Sequence, residues 1–252
     1  MTSKIAILYT TFLRNDLAFK TIQSIQPFLN EHTILLIADQ NLPERRININ
    51  PNWHYTINYS LPFDCGLSYA RNFLVDRAKD FGYDYSIISA DSIQFIKDTE
   101  NLTSAIKYLS ENTNIGLVGF NLNDRQAWEG YIDLIPNLYF KIKQLNLQQD
   151  DCFLFEGLRF YPCEVIRNFF LAKTECLINN KWDENLKLGE HEDYFYRLKQ
   201  TQWTVNYCPD ISANYINEKP EEYLKYRQRM YSEFRTMLQK KYNISGWIHY
   251  EK

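Results

Sequence analysis

The sequence predicts an α/β fold built on a mostly parallel central sheet flanked by helices. Three observations predict it. Short apolar runs at residues 5–9, 33–38, 83–89 and 115–120 read as buried strands. Stretches with apolar residues at helical spacing lie between several of them, so strand, helix and strand alternate. Carboxylates follow two of the runs, Asp39 and Asp91, where open parallel sheets place their ligands.

The first strand covers residues 5–9. Asn15 and Asp16 are placed to cap the next helix, in which Leu17, Phe19, Ile22, Ile25 and Phe28 recur on one side. Pro27 disturbs that helix near its end, because proline lacks the N–H and clashes with the preceding turn. Residues 33–38 form the second strand, 41–51 are polar and turn-rich, and 53–59 alternate like a strand. A helix over 67–81 turns Leu67, Ala70, Phe73, Leu74 and Ala78 inward. The strand at 83–89 delivers Asp91 at its end, and a helix at 102–109 and a strand at 115–120 follow. No regular pattern emerges over 123–159. Beyond it, 168–173 reads as a strand, 189–200 as a helix, 204–207 as a strand and 221–242 as a long charged helix.

With no repeat or low-complexity linker, the 252 residues read as one domain, with a helical extension over about 219–252. Hydrophobic residues make up 45% and charged residues 23%, the balance of an ordinary globular protein. A net charge of −3 offers no basic field and argues against a nucleic-acid partner. The five cysteines form no CxxC, so neither a zinc site nor a disulfide framework is expected. The start reads as a strand and not as a secretion signal. No apolar stretch approaches the roughly 20 residues that span a bilayer. A cytoplasmic protein with reduced thiols is therefore expected. The basic, aromatic last helix leaves a peripheral membrane contact open, and a solvated face over the core is the simpler reading. The aromatic share of 16% suits a sugar-binding protein, and equally an AT-rich coding sequence.

Candidate chemistry is sought at the strand ends. Thr10 and Thr11 close the first strand, and their hydroxyls can bond a base or a phosphate. Asp39 can accept from the N–H of uracil and from ribose hydroxyls. Gly66 opens a helix whose first turn holds Ser68, with Arg71 behind it; helix N-termini attract phosphate oxygens and arginine clamps them. Asp91 is a hard oxygen ligand able to hold Mg²⁺ or Mn²⁺ between two phosphates. Glu190, His191, Glu192 and Asp193 crowd one helix start. Acidic residues there favour the helix dipole, but a histidine among them takes a proton near neutral pH. Asp193 and Arg197 stand four apart and are set to pair, which favours a structural Asp193. Each feature alone also fits a plain structural role. Their order along the chain carries the argument.

In that order the segments resemble the GT-A glycosyltransferases, in particular the large inverting family 2 group. The residues that carry the likeness are Asp39, the GLSYARN stretch Gly66 to Asn72, Ser89-Ala90-Asp91, and Glu190 through Arg197; together they span residues 4–215. A narrower stretch is similar to the ganglioside-type β-1,4-N-acetylgalactosaminyltransferases: Asn168-Phe169-Phe170-Leu171-Ala172, Thr174-Glu175, Trp182-Asp183 and His191.

The resemblance implies a Rossmann-like GT-A domain. It also implies inverting transfer of an N-acetylhexosamine or hexose from a UDP-sugar to a glycan or other hydroxyl acceptor. Uridine would lie against Thr10, Thr11 and Asp39. The diphosphate would face Arg71 and Asp91, directly or through Mn²⁺ or Mg²⁺, and Trp182 would pack beside the acceptor sugar, though a core role fits it equally. Two departures matter. Ser89 stands where the first Asp of the D-x-D motif belongs, and after Pro209 come Asn214 and Tyr215 where the family often places a metal-binding His. Metal binding is thus left open between Asp91 alone and none. His191 stands where the family's catalytic Asp usually does, so the base is left to His191, Asp193 or Glu192. The narrower likeness implies His191 and Asp193 together. The alternative is a GT-A domain that binds a nucleotide or glycan without catalysis. A nucleotidyltransferase is disfavoured, because residues 9–14 lack its Gly-rich loop.

Overall fold

The structure is a computed structural model and describes residues 3–123 and 129–251. Strands β1 (Ile5–Thr11), β2 (Thr33–Asp39), β3 (Thr56–Ser60) and β4 (Tyr85–Ala90) lie parallel in the order β3-β2-β1-β4. Helix α1 (Asn15–Ile25) joins β1 to β2, and α2 (Leu67–Asp80) joins β3 to β4. Next to β4 comes β11 (Phe170–Lys173), antiparallel to both neighbours. The sheet then continues through β6 (Ile115–Leu122), β12 (Thr204–Tyr215), β10 (Leu158–Cys163) and β9 (Phe153–Phe155), with β5 (Ile93–Phe95) also paired to β12. A second sheet has the order β13-β8-β7, from β7 (Gly130–Ile135), β8 (Tyr139–Gln144) and β13 (Ile248–Glu251). The fold class is the one expected, α/β with a large, mostly parallel central sheet.

Strand alternation decides how the sheet is covered. Successive strand residues face opposite sides. Ala6 and Leu8 of β1 therefore join one core, with Ala70 and Leu74 of α2 and Phe195 of α5 (Glu190–Leu198). Ile7 and Tyr9 join another, with Ile22 of α1 and Ala105 and Leu109 of α3 (Leu102–Glu111). Both faces are buried, which is why the strands read as continuous apolar runs. The second sheet packs Phe140 and Ile142 into the first of these cores, beside Leu238 of α6 (Glu221–Tyr242).

Several elements differ from expectation. Asn15 and Asp16 do not cap α1. Arg14 holds the N-cap position with no side-chain cap bond, and the Asn15 amide donates to the Arg45 carbonyl. Phe19 faces out at 44% exposure and packs on Trp53, ring centres 5.1 Å apart. Helix α1 does stop at Ile25, and Pro27 sits in the 3₁₀ turn that follows. In α2, Leu67 and Phe73 are only half-buried, while Arg71 and Asn72 point inward. Strand β12 runs eight residues further than the 204–207 run. A register shift between Cys208 and Ser212 lets it bend past Pro209.

Candidate active site

The C-terminal ends of β1 and β4 and the starts of α2 and α5 open onto one cleft of about 1130 Å³. Thr10, Thr11, Arg71, Asp91, Glu190, His191 and Glu192 line it. Asp39, Trp182 and Asp193 do not. A second cavity, about 770 Å³, lies between α3, β10 and β12 and contains none of the residues singled out from the sequence.

At the β2 end, Asp39 is fully buried and its carboxylate is used internally. Oδ1 accepts from the Asn41 backbone N–H (3.0 Å) and side-chain amide (2.7 Å), and Oδ2 accepts from the Ile47 N–H (2.7 Å). Asn41 in turn accepts from the Leu13 N–H at 2.7 Å, so Asp39 indirectly fixes the loop after β1. The cleft-lining neighbour is Gln40, whose Oε1 accepts from the Gly66 N–H at 3.0 Å.

At the β4 end, Asp91 is buried against the β1 loop. Its Oδ2 accepts from the Thr11 hydroxyl (3.2 Å) and the Phe12 N–H (3.4 Å), and Arg14 is in ion-pair contact with Oδ1. Burial raises the Asp91 carboxyl above its ordinary range, opposed by Arg14 and by the two hydrogen bonds. The Arg14 guanidinium lies 4.5 Å from the centre of the Tyr223 ring, so it is clamped between a carboxylate and an aromatic face.

The GLSYARN helix does two jobs. Ser68 donates to the Leu186 carbonyl (2.8 Å). The Asn72 side chain donates to the Trp182 carbonyl (2.9 Å) and accepts from the Trp182 N–H (3.0 Å). These bonds tie α2 to the loop that leads into α5, which makes Ser68 and Asn72 structural. Trp182 is core: it is buried and stacked on Tyr194, ring centres 4.4 Å apart and planes within 16°. Arg71, 2% exposed, passes 5.2 Å from the Trp182 ring and ends 3.7 Å from Glu190. Burial lowers its value to about 10, offset in part by Glu190, so it remains a cation at neutral pH. Its Nε and Nη1 have no hydrogen-bond partner within the protein.

Helix α5 begins at Gly189, whose φ of 76° and close neighbours demand glycine. A Cβ there would stand 3.0 Å from the Trp247 ring and 3.1 Å from Leu238. The four ionisable residues that follow separate. Asp193 is fully buried on the side away from the cleft, held by the Tyr242 hydroxyl (2.7 Å), Lys241 Nζ (2.5 Å) and Arg197 Nε (2.9 Å). The expectation of a catalytic Asp193 is therefore at odds with its placement, and the pairing with Arg197 read from the spacing is present. His191 faces the cleft with Nδ1 3.0 Å from Asn168 Oδ1. Burial, and then Arg71, push its value down to about 3, so the ring is neutral over the physiological range. Burial beside Glu190 pushes the Glu192 carboxyl up to about 7. Glu190 is raised as well, by burial, against the pull of Arg71.

Sequence reasoning missed one wall of the cleft. Tyr223, Leu224, Tyr226, Arg227, Met230 and Tyr231 of α6 line it, as do Trp247, Ile248 and Tyr250. Among the described residues of α6, only Phe234 and Leu238 are buried in the core. The first half of the helix thus covers the cleft rather than the hydrophobic interior, and Arg227 acts electrostatically on Glu190 and Glu192. Arg14, whose position beside Asp91 no motif signalled, was also missed.

The residues at the β4 end do not fit a divalent-cation site. Mg²⁺ and Mn²⁺ want several oxygen ligands. Asp91 Oδ2 accepts from Thr11 and Phe12, and Oδ1 is paired with the Arg14 cation without a hydrogen bond; Ser89 adds only a hydroxyl, likewise without a partner, and no cluster of three His, Cys, Asp or Glu suits a metal among the described residues.

No family model matches the chain, and no curated protein matches it. Solved structures do. Staphylococcus aureus TarS 1–349 superposes with a TM-score of 0.58 at 13% identity, over 92% of this chain and 73% of that one. The mannosyltransferase PcManGT from Pyrobaculum calidifontis, in complex with GDP-Man and Mn²⁺, gives 0.59 at 13% identity, over 90% and 60%. TarS 1–349 in complex with UDP-GlcNAc gives 0.59 at 12% identity, over 88% and 60%. At such identity the likeness establishes the fold: the chain has the GT-A architecture. Among the described residues, no helix is long and apolar enough to cross a membrane.

Proposed function

We propose that this chain is a glycosyltransferase, a single GT-A domain that moves a sugar from a UDP-sugar to a hydroxyl of a glycan or other acceptor, with inversion. The observation that carries the reading is the single cleft at the strand ends, which gathers Thr10, Thr11, Arg71 and Asp91 with Glu190, His191 and Glu192. GT-A neighbours whose structures hold UDP-GlcNAc or GDP-Man support a nucleotide-sugar donor. An N-acetylhexosamine as the transferred sugar rests on the sequence resemblance to the ganglioside-type enzymes alone, which the solved structures do not support.

Thr10 and Thr11 stand on the donor side, and Arg71 supplies charge to the departing diphosphate, a large share of catalysis in such displacements. The acceptor oxygen attacks the anomeric carbon, its proton passes to Glu192, and the bond to the diphosphate breaks, releasing UDP. Glu192 is the base because it faces the cleft with a value near neutral pH, where proton transfer is most effective. His191, held by Asn168 and disfavoured as a cation, positions the acceptor. Asp193 and Trp182 support the site from behind.

The test is UDP release from a panel of UDP-sugars, with water and with simple glycosides as acceptors. The reading predicts turnover of at least one donor. Nucleotide binding without turnover across a broad acceptor panel would instead support the non-catalytic domain, a reading that Ser89 in place of the first D-x-D acid and His191 in place of the usual base favour.

A further inference from the structure

A nucleoside diphosphate brings concentrated negative charge into its site, and a protein answers it with a divalent cation or with its own cations. Here the carboxylate placed to hold a metal is already engaged. Asp91 is 1% exposed, Arg14 contacts Oδ1, and Thr11 and Phe12 donate to Oδ2. The Arg14 side chain is itself only 11% exposed and lies under the Tyr223 ring, yet it lines the cleft. One end of its guanidinium meets Asp91, while the buried Nε–H has no partner within the protein. The same holds along the cleft wall. Arg71 has Nε and Nη1 buried and unpartnered. Arg167, fixed by Glu129 at 2.8 Å, has Nη1 buried and unpartnered. A buried donor left without a partner is costly, more so on a charged group, and arginine matches phosphate oxygens with paired donors.

We propose that Arg14 is the resident cation of this cleft: positioned by Asp91 and Tyr223, it takes the diphosphate of the nucleotide donor, with Arg71, and no divalent metal is required. This rests on the glycosyltransferase reading above and adds to it the means of charge compensation. It also assigns Asp91 a role opposite to that of a metal ligand. Asp91 is a positioning residue for Arg14, and its carboxylate charge is not needed by the ligand.

The experiment is calorimetric titration of the full chain with UDP and with GDP, in EDTA and in excess MnCl₂. One of the two nucleotides should bind in EDTA with an affinity within about threefold of that in Mn²⁺. Arg14→Ala should weaken that binding by about 10- to 100-fold, the loss of a charged hydrogen-bond donor. Mn²⁺ should restore part of it, because Asp91 is then free. Asp91→Asn should show the same affinity in EDTA and in excess Mn²⁺, within about threefold, whereas a metal-ligand Asp91 would lose in this variant the binding that Mn²⁺ supports in the parent. Because Arg14→Ala leaves a buried carboxylate unpaired, its fold is checked by circular dichroism; if it unfolds, Asp91→Asn alone decides. Binding that demands Mn²⁺ and is lost in Asp91→Asn overturns the proposal and leaves the glycosyltransferase reading standing. No binding of either nucleotide under either condition overturns both.

Discussion

Glu192 and Asp193 sit side by side in the first turn of α5, and their surroundings could hardly differ more. Asp193 turns inward, where Arg197, Lys241 and Tyr242 supply three partners. Glu192 turns to the cleft beside Glu190, and its carboxyl is pushed up to about 7. One carboxylate ties helix to helix, and the other faces the cleft, the placement on which its proposed role as base rests. A buried charge is tolerated when partners surround it, and a group in transit between charge states must lack them. Charge at a helix start therefore does not identify a base; the direction the residue faces does.

The comparison can be broken most directly at Glu192. Glu192→Gln should lower kcat by about 10²- to 10⁴-fold, the range for a lost general base, with UDP affinity and fold retained. A variant that turns over donor at the parental rate would return the base to His191. Asp193→Ala should behave in the reverse manner. It should cost on the order of 3 kcal/mol of stability in denaturant unfolding, since Lys241 and Arg197 lose a buried partner but keep partial access to water. Its remaining folded fraction should keep donor turnover. If Asp193→Ala instead folds normally and loses kcat alone, the two roles are exchanged.

The pH dependence of stability separates the two cleft-facing groups as well. His191 lies at about 3 in the fold against an ordinary 6.5. Between those values the unfolded chain binds more protons, so stability rises with pH across that window. Glu192 lies at about 7 against 4.5, so the folded chain binds more protons there, and stability falls as pH rises through the window. His191→Asn should therefore gain melting temperature relative to the parent near pH 5, and Glu192→Gln should gain near pH 8. Equal shifts at both pH values in either variant would contradict these assignments.

Much of this was legible in the sequence. The apolar runs at β1, β2, β4 and β6 mark a sheet buried on both faces, and the order of Asp39, the GLSYARN helix, Asp91 and the α5 cluster points to one strand-end site. The residues' jobs were less legible, because spacing does not show direction. Asp39 stands where the family resemblance expects a uridine contact, but its carboxylate accepts from Asn41 and Ile47. Ser68 stands in the helix turn where a phosphate is expected, but donates to the Leu186 carbonyl of the loop that leads into α5. Trp182 reads equally as a sugar platform or as core, and its stack on Tyr194 decides for core. Helix α6 has the periodicity of a surface helix, and nothing in that period shows that its inner face meets a cleft. The β7–β8 pair escaped notice because its third strand, β13, lies about a hundred residues later in the chain.

Glu192 as the base of a transfer cleft would show itself in the pH profile of UDP release from a UDP-sugar that the chain turns over. The rate should climb as pH passes through about 7 and then level, with the climb absent in Glu192→Gln. His191, neutral well below that range, cannot produce such a limb. A rate flat from weakly acidic to weakly basic pH, with Glu192→Gln matching the parent throughout, would contradict it.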